Sequence, residues 1–291
     1  MKLLMLVNAR SGMKNSKAHL LDAIDVFCRN GYAVTTYVTQ SKNDAERYLL
    51  KNRTKYDIVC VFGGDGTMNE VTNALMKKDR KPLLGYFPSG TMNDFGTNFD
   101  LGNDPKSIAE KIVERKEHPF DVGLFNDRYF NYVAAFGAMC DVPFKTDRSA
   151  KEALGNIAYI LEGISHLPDI RKIPVKYTVN GKEYRRNVLF GLIYSGNRVA
   201  GMELDDKKHG RVDDGRFNIL LVDYLPSIFE TADLFDYLTQ KNQLIHRYQT
   251  DHVILEFEDD DVVWTLDGEE ARTKDGKAEI TITNKALRLL A

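Results

Sequence analysis

Along residues 1–122, short β-branched apolar runs alternate with longer stretches whose apolar positions recur at helical spacing. Leu3–Val7, Val34–Val38, Ile58–Phe62 and Leu83–Phe87 read as buried strands. Between the first two, Leu20, Leu21, Ile24, Phe27 and Cys28 give a helix one apolar face; Ser16 is placed to cap it and Gly31 to end it. A second helix is predicted from Asn43, with Glu46 completing a capping box and Tyr48, Leu49 and Leu50 along it. A third starts at Thr67, with Glu70 as its capping-box partner and Met68, Val71 and Leu75 on the apolar face. A fourth has Pro105 in its first turn and buries Ile108, Ile112 and Val113. This alternation predicts a doubly wound α/β domain, a parallel sheet with helices on both faces.

The rhythm changes after Asp121-Val122-Gly123. Tyr129–Phe136 is a strand-like aromatic run entered by a turn at Asn126-Asp127. One helix, about Ala150 to His166, interrupts. Val175–Val179 and Tyr184–Val188 then flank Asn180-Gly181, a strong hairpin signal. Phe190–Tyr194, Phe217–Val222, Val253–Phe257, Val262–Leu266 and Glu279–Thr283 add strands with few helices between them. This half reads as an antiparallel β-sandwich. The expected fold class is therefore α/β plus β, with domains at 1–122 and 123–291. Whether the last strand, near 284–291, returns to the first domain is left open.

The run ending at Phe62 leads into Gly63-Gly64-Asp65-Gly66-Thr67 and then Met68-Asn69-Glu70-Val71. A strand, a glycine turn and a helix N-terminus form an anion site, because missing side chains let backbone N–H groups approach a phosphate and the helix dipole favours negative charge. Asp65 adds an acceptor for Mg²⁺ or its waters. Ligands of such sheets sit beyond the carboxyl ends of the strands. Asn8–Gly12, Gly63–Thr67 and Ser89–Asp94 all follow strands, so three polar, glycine-bearing loops should meet at one crevice.

A length of 291 residues suits two domains, and a formal charge of −2 argues against a dedicated nucleic-acid binder. The cysteines Cys28, Cys60 and Cys140 lack zinc spacing, and Cys28 and Cys60 are expected as reduced core residues. His166, His209 and His246 have no metal-ligand partners at helical spacing. No apolar run approaches the length of a membrane span, so any membrane contact is expected to be peripheral. Arg171, Lys172, Lys176, Lys182, Arg185 and Arg186 gather round one predicted hairpin, either as a face toward anionic lipid or as an ordinary exposed hairpin.

The glycine turn alone is shared by several kinase families, phosphofructokinases and nicotinamide-dinucleotide kinases among them. Together with Asn8-Ala9-Arg10-Ser11-Gly12, Ser89-Gly90-Thr91-Met92-Asn93-Asp94-Phe95 and the late Leu266-Asp267-Gly268-Glu269, it resembles the diacylglycerol kinase catalytic fold. Bacterial soluble diacylglycerol kinases and related lipid kinases share this pattern most fully, with sphingosine and ceramide kinases more distant. Ala9 stands where the family usually has proline. The resemblance implies that ATP is held by Asn8, Ala9, Arg10, Ser11, Gly12, Thr39, Gly63, Gly64, Asp65, Gly66, Thr67, Met68, Asn69 and Thr91, with Asn93 and Asp94 directed into the cleft. It implies Asp267 as the general base and Glu269 as its support; the competing reading makes Asp267-Gly268 a plain hairpin turn. Catalytic Mg²⁺ is expected beside Asp65, Asp94 and Asp121. A second, structural Mg²⁺ is expected on the Asp214 carboxylate and the carbonyls of Arg211 and Arg216.

The implied activity is ATP- and Mg²⁺-dependent phosphorylation of diacylglycerol to phosphatidic acid. The implied setting is cytoplasmic, peripheral at the inner face of the membrane, with a homodimer possible. The alternatives are a kinase of another lipid alcohol (a sphingoid base, phosphatidylglycerol or an isoprenoid alcohol) or a non-catalytic nucleotide- or lipid-binding protein on the same fold. A dinucleotide or sugar kinase is expected to fit the late Asp267-Gly268-Glu269 and the sandwich half poorly.

Overall fold

The computed structural model describes residues 1–10, 19–52, 55–77, 81–90, 92–140, 171–199, 201–204, 210–224 and 244–291. Strands β1 (Lys2–Val7), β2 (Ala33–Val38), β3 (Ile58–Gly63) and β4 (Leu83–Pro88) pair in parallel in the order β2-β1-β3-β4. Their helices are α1 (Leu20–Arg29), α2 (Asp44–Lys51), α3 (Asp65–Met76), the single turn α4 (Asp94–Thr97) and α5 (Pro105–Glu114). Side chains alternate across a strand, and here both faces are buried. Leu3, Met5, Ile58, Cys60 and Phe62 share a core with Ala23 and Phe27 of α1 and Ile108 and Ile112 of α5. Leu4, Leu6, Val59 and Val61 meet Leu49 of α2 and Met68, Val71 and Leu75 of α3 on the other face. Asp104 caps α5 by accepting the Ser107 N–H at 3.0 Å, with Pro105 in the first turn.

The second half comprises β5 (Glu117–Phe125), β6 (Arg128–Phe130), β7 (Val133–Gly137), β8 (Ile173–Val179), β9 (Lys182–Tyr194), β10 (Arg198–Val199), β11 (Met202–Glu203), β12 (Phe217–Asp223), β13 (Ile245–Thr250), β14 (His252–Phe257), β15 (Val263–Leu266), β16 (Glu269–Arg272) and β17 (Lys277–Leu290). These strands run antiparallel in the order β16-β15-β7-β9-β8-β14-β17, while β12 leaves β9 to pair with β13. The strands enclose a second core built around Phe125, Phe136, Phe257 and Trp264. The β8–β9 turn has positive φ at Asn180 and Gly181, the conformation that the Asn-Gly pair selects.

Strand β17 joins the halves. It runs against β5, with Thr283 opposite Val122 and Leu287 opposite Phe120, and bulges in between. Beyond the bulge, Leu289 pairs in parallel with Leu84 of β4. The antiparallel half therefore continues directly into the parallel sheet.

Local expectations fail where partners are distant. Neither expected capping box forms: Asn43 and Gly64 are N-caps without side-chain bonds. Glu70 instead accepts the backbone N–H groups of Asn43 (2.7 Å) and Ala45 (3.1 Å), capping α2 from α3, and Glu46 pairs with Lys77. Leu21 and Cys28 are exposed rather than core, and Ala23 and Val26 fill their place. Phe190–Tyr194 is the end of β9, not a separate strand. The Tyr129–Phe136 run breaks at Asn131-Tyr132. Strands β13 and β16 carry no alternating pattern because each pairs with only one neighbour and keeps polar residues outward. The basic hairpin is partly neutralised: Lys176 pairs with Glu183 and Glu256, and Arg186 with Asp223. The helix expected near Ala150–His166, the Ser16 cap expected for the first helix, and His166 and His209 lie outside the described residues. Among the described residues, no helix is long and apolar enough to cross a membrane.

Candidate active site

The expected loops meet at the carboxyl end of the parallel sheet. The Asn8 N–H donates to Phe62 O at 2.8 Å and its side-chain amide to Thr67 Oγ1 at 3.0 Å. The Thr39 N–H reaches Val7 O, and the Ser89 N–H reaches Gly63 O, each at 2.9 Å. Two glycines touch backbone to backbone: a Cβ on Gly90 would stand 2.7 Å from Gly64 Cα. That contact is closed to any other residue type, and it places the second loop directly over the first turn of α3. The first N–H groups of α3, on Asp65 and Gly66, are those the helical ladder leaves over. Ser11, Gly12 and Thr91 lie outside the described residues, while Ala9 and Arg10 follow Asn8 in its turn.

Around this turn the side chains are acidic. Asp65 accepts the N–H groups of Asp94 (3.2 Å) and Phe95 (3.4 Å) at the start of α4. Asp94 is 1% exposed and accepts the Gly201 N–H at 2.8 Å. Burial, then the charges of Asp94 and Asp267, push the Asp65 carboxyl up to about 7, and none of these influences is positive. Among the described residues the charges that act on Asp65 are negative, an accumulation that fits a divalent ion. Among the described residues no three acidic, His or Cys side chains form a direct ligand set. This donor chemistry suits Mg²⁺, which keeps several waters and takes only one or two carboxylates.

Asp267 lies in the same acidic group, and the hairpin reading of its backbone holds. Asp267 and Gly268 have positive φ and form the two-residue turn between β15 and β16, with Leu266 opposite Glu269. The carboxylate points inward and accepts bonds from five donors. Oδ2 takes Asn131 N (2.6 Å), Asn131 Nδ2 (3.1 Å) and Asn69 Nδ2 (2.8 Å); Oδ1 takes Tyr132 N (3.0 Å) and Val133 N (3.1 Å). Three consecutive backbone N–H groups form this cradle, which is why the aromatic run breaks into β6 and β7. Burial pushes the Asp267 carboxyl upward while those N–H groups pull it down, and burial prevails. Glu269 stands at the rim, one-third exposed, paired with Lys42 and with Oε1 against Gly66.

A polar face of α3 binds the two halves. Asn69 Nδ2 also donates to Tyr129 O, and Asn73 brackets Tyr129 by donating to its carbonyl (2.9 Å) and accepting its N–H (3.0 Å). The Thr72 hydroxyl donates to Asn131 Oδ1 at 2.6 Å. Asn131, Thr72, Asn73 and Lys42 were missed from the sequence. For the helix residues the available signal was polar side chains at 69, 72 and 73 on an otherwise apolar helix; a lone loop lysine gives none.

Several expected ligands serve other ends. Met68 is fully buried in the core, and Asn69 is 4% exposed and turned to Asp267, so neither side chain faces the glycine turn. The Asn93 amide is directed not into the cleft but onto Gly90, whose N–H and C=O it engages at 2.8 and 2.9 Å. Asp121 does not join Asp65 and Asp94. Its oxygens accept Gly215 N (2.7 Å) and Lys285 N (2.6 Å), and its acidic neighbours are Asp214 and Asp213. In the Arg211–Arg216 loop, Asp214 accepts from Arg216 N and Gln249, and the Arg211 carbonyl accepts from Gly196 N. The Asp214 carboxylate and the Arg211 carbonyl thus already accept hydrogen bonds within the fold.

The sequence profile of the diacylglycerol kinase catalytic domain matches residues 2–125, which carry all three phosphate-side loops. A diacylglycerol kinase of Staphylococcus aureus is 33% identical over 222 residues, spanning 74% of this chain and 69% of its own. The chain belongs to the diacylglycerol kinase family. It is a lipid kinase of that type. In three dimensions it matches a candidate diacylglycerol kinase from Bacillus anthracis strain Sterne (24% identity, 99% of this chain, 94% of that one, TM-score 0.79). It also matches the fold of yeast NADH kinase, at 8% identity and TM-score 0.54, over 99% of this chain and 82% of that one. The antiparallel half is thus common to a dinucleotide kinase too, and does not separate lipid from dinucleotide kinases as expected. Family membership separates them.

Proposed function

We propose that this diacylglycerol kinase family member transfers the γ-phosphoryl group of ATP, with Mg²⁺, to the hydroxyl of diacylglycerol, giving phosphatidic acid. The observation that carries this reading is the 2.8 Å bond between Asn69 and Asp267, which ties the phosphate-side helix to the acidic hairpin across 198 residues. In this reading the free N–H groups at the start of α3 bind phosphate oxygens, and Asn93 keeps Gly90 folded over them. Asp65 and Asp94 supply the negative side for Mg²⁺, which when bound neutralises charge on the β- and γ-phosphates.

A lipid hydroxyl is a poor nucleophile at neutral pH and needs a group that takes its proton as the bond to phosphorus forms. Asp267 has that role in our reading, its basicity raised by burial. The Asn69 and Asn131 side-chain amides are the donors that can rotate away from Oδ2, since the backbone N–H groups are fixed. Glu269, at the rim, meets an acceptor arriving from solvent before Asp267 does. A diacylglycerol acceptor resides in a bilayer, so the enzyme works in peripheral contact with the inner membrane face.

The test is phosphoryl transfer from labelled ATP to a panel of lipids in mixed micelles, with Mg²⁺ or with chelator. Label entering diacylglycerol only when Mg²⁺ is present is the expected result. Label entering a sphingoid base, phosphatidylglycerol or an isoprenoid alcohol instead reassigns the acceptor. Full turnover by Asp267→Asn removes the base assignment.

A further inference from the structure

Lys42 sits in the loop between β2 and α2, far in sequence from the acid hairpin, yet its ammonium pairs with Glu269 Oε2. That loop is firmly docked on α3. The backbone N–H groups of Asn43 and Ala45 bind Glu70, one helical turn beyond Gly66, and the Gln40 N–H binds Asp44 at 2.8 Å. The other oxygen of Glu269 lies so near Gly66 that a Cβ there would come within 3.2 Å of it. The Lys42–Glu269 pair therefore stands at the first turn of α3.

We propose that Lys42 is a triphosphate-binding residue held in reserve on Glu269, and that nucleotide takes it over and releases Glu269 to the acceptor side. The inference rests on the nucleotide reading above. Three physical points support it. The side chains of Lys42 and Glu269 are 69% and 31% exposed, so the pair is solvated and cheap to exchange. A triphosphate carries several negative charges where Glu269 carries one, and an ammonium presents three donors to it. The carboxylates of Asp65, Asp94 and Asp267 gather round the same turn, so an arriving anion needs a positive group at that place. The exchange also orders the reaction: until nucleotide is present, Glu269 stays neutralised by Lys42 and does not engage a hydroxyl.

Calorimetric titration of the full chain with a non-hydrolysable ATP analogue and Mg²⁺ tests this without reference to turnover. Lys42→Ala is expected to weaken binding about tenfold, the loss of one charge-assisted contact, and Lys42→Arg to restore most of it. Glu269→Gln removes the competitor for Lys42 and is expected to tighten binding several-fold, but only while Lys42 is present. Wild-type affinity in Lys42→Ala overturns the proposal. So does tightening by Glu269→Gln that persists in the double variant, because the effect then comes from removing a negative charge rather than freeing the lysine. Failure of the wild-type chain to bind the analogue at all would overturn the nucleotide reading itself, a result distinct from both.

Discussion

Replacing Asp65 with asparagine probes the accumulated negative charge directly. Without metal, the folded chain holds the Asp65 proton up to about 7, whereas the unfolded chain releases it near the ordinary 3.8. Between those values the folded state binds more protons than the unfolded one, so stability falls as pH rises through that window and stays low above it. The whole window is worth at most about 4 kcal/mol, of which about 2.5 kcal/mol falls between pH 5 and pH 8. Asp65 is only half-buried by surface area, and solvent screening brings the second figure to about 1 kcal/mol. The asparagine has nothing to ionise and keeps one oxygen. One of the Asp94 and Phe95 N–H groups, which bind different Asp65 oxygens, loses its acceptor at either pH, and the pH difference is unaffected. In chelator, Asp65→Asn is therefore expected to gain about 1 kcal/mol on the wild type between pH 5 and pH 8, while losing turnover, the familiar trade of stability against a charged site. Urea unfolding followed by circular dichroism at both pH values measures the gain. An equal difference at the two pH values, or a variant that loses ground at pH 8, would refute the argument.

Gly90→Ala drives a Cβ to 2.7 Å from Gly64 Cα, backbone that cannot swing aside; a cost of about 1–3 kcal/mol in a thermal melt and weaker nucleotide binding by calorimetry are expected. Asn73→Ala strands the Tyr129 N–H and leaves its C=O to Asn69 alone, so urea unfolding should show a loss of about 1–3 kcal/mol. Asp121→Ala removes the acceptor for Gly215 and Lys285 and should cost stability of similar size, with turnover per folded molecule unchanged. A turnover loss with stability intact would return Asp121 to the metal network.

Much of the architecture was written locally. Strands Leu3–Val7 and Ile58–Phe62 declared themselves because they are buried on both faces and so uniformly apolar. The Asn180-Gly181 hairpin was legible because the φ values it needs belong to those residue types. Gly63–Thr67 pointed to a phosphate turn for a different reason, that glycines let backbones approach closely, and Gly64 does meet Gly90 backbone to backbone. Edge strands β13 and β16 were invisible because a strand with one neighbour need not bury a face.

What the amino-acid order determined by itself was thus periodicity, turn chemistry and the presence of acids and glycines at strand ends. Tertiary structure alone decided which partner each polar group takes. Glu70 looked like a cap for its own helix and caps α2, Asn69 looked like a nucleotide contact and holds Asp267, and Lys42 carried no signal at all. The reason is physical: a buried donor or acceptor must be satisfied, but nothing in its sequence neighbourhood says whether its partner lies three residues away or on the far side of the fold.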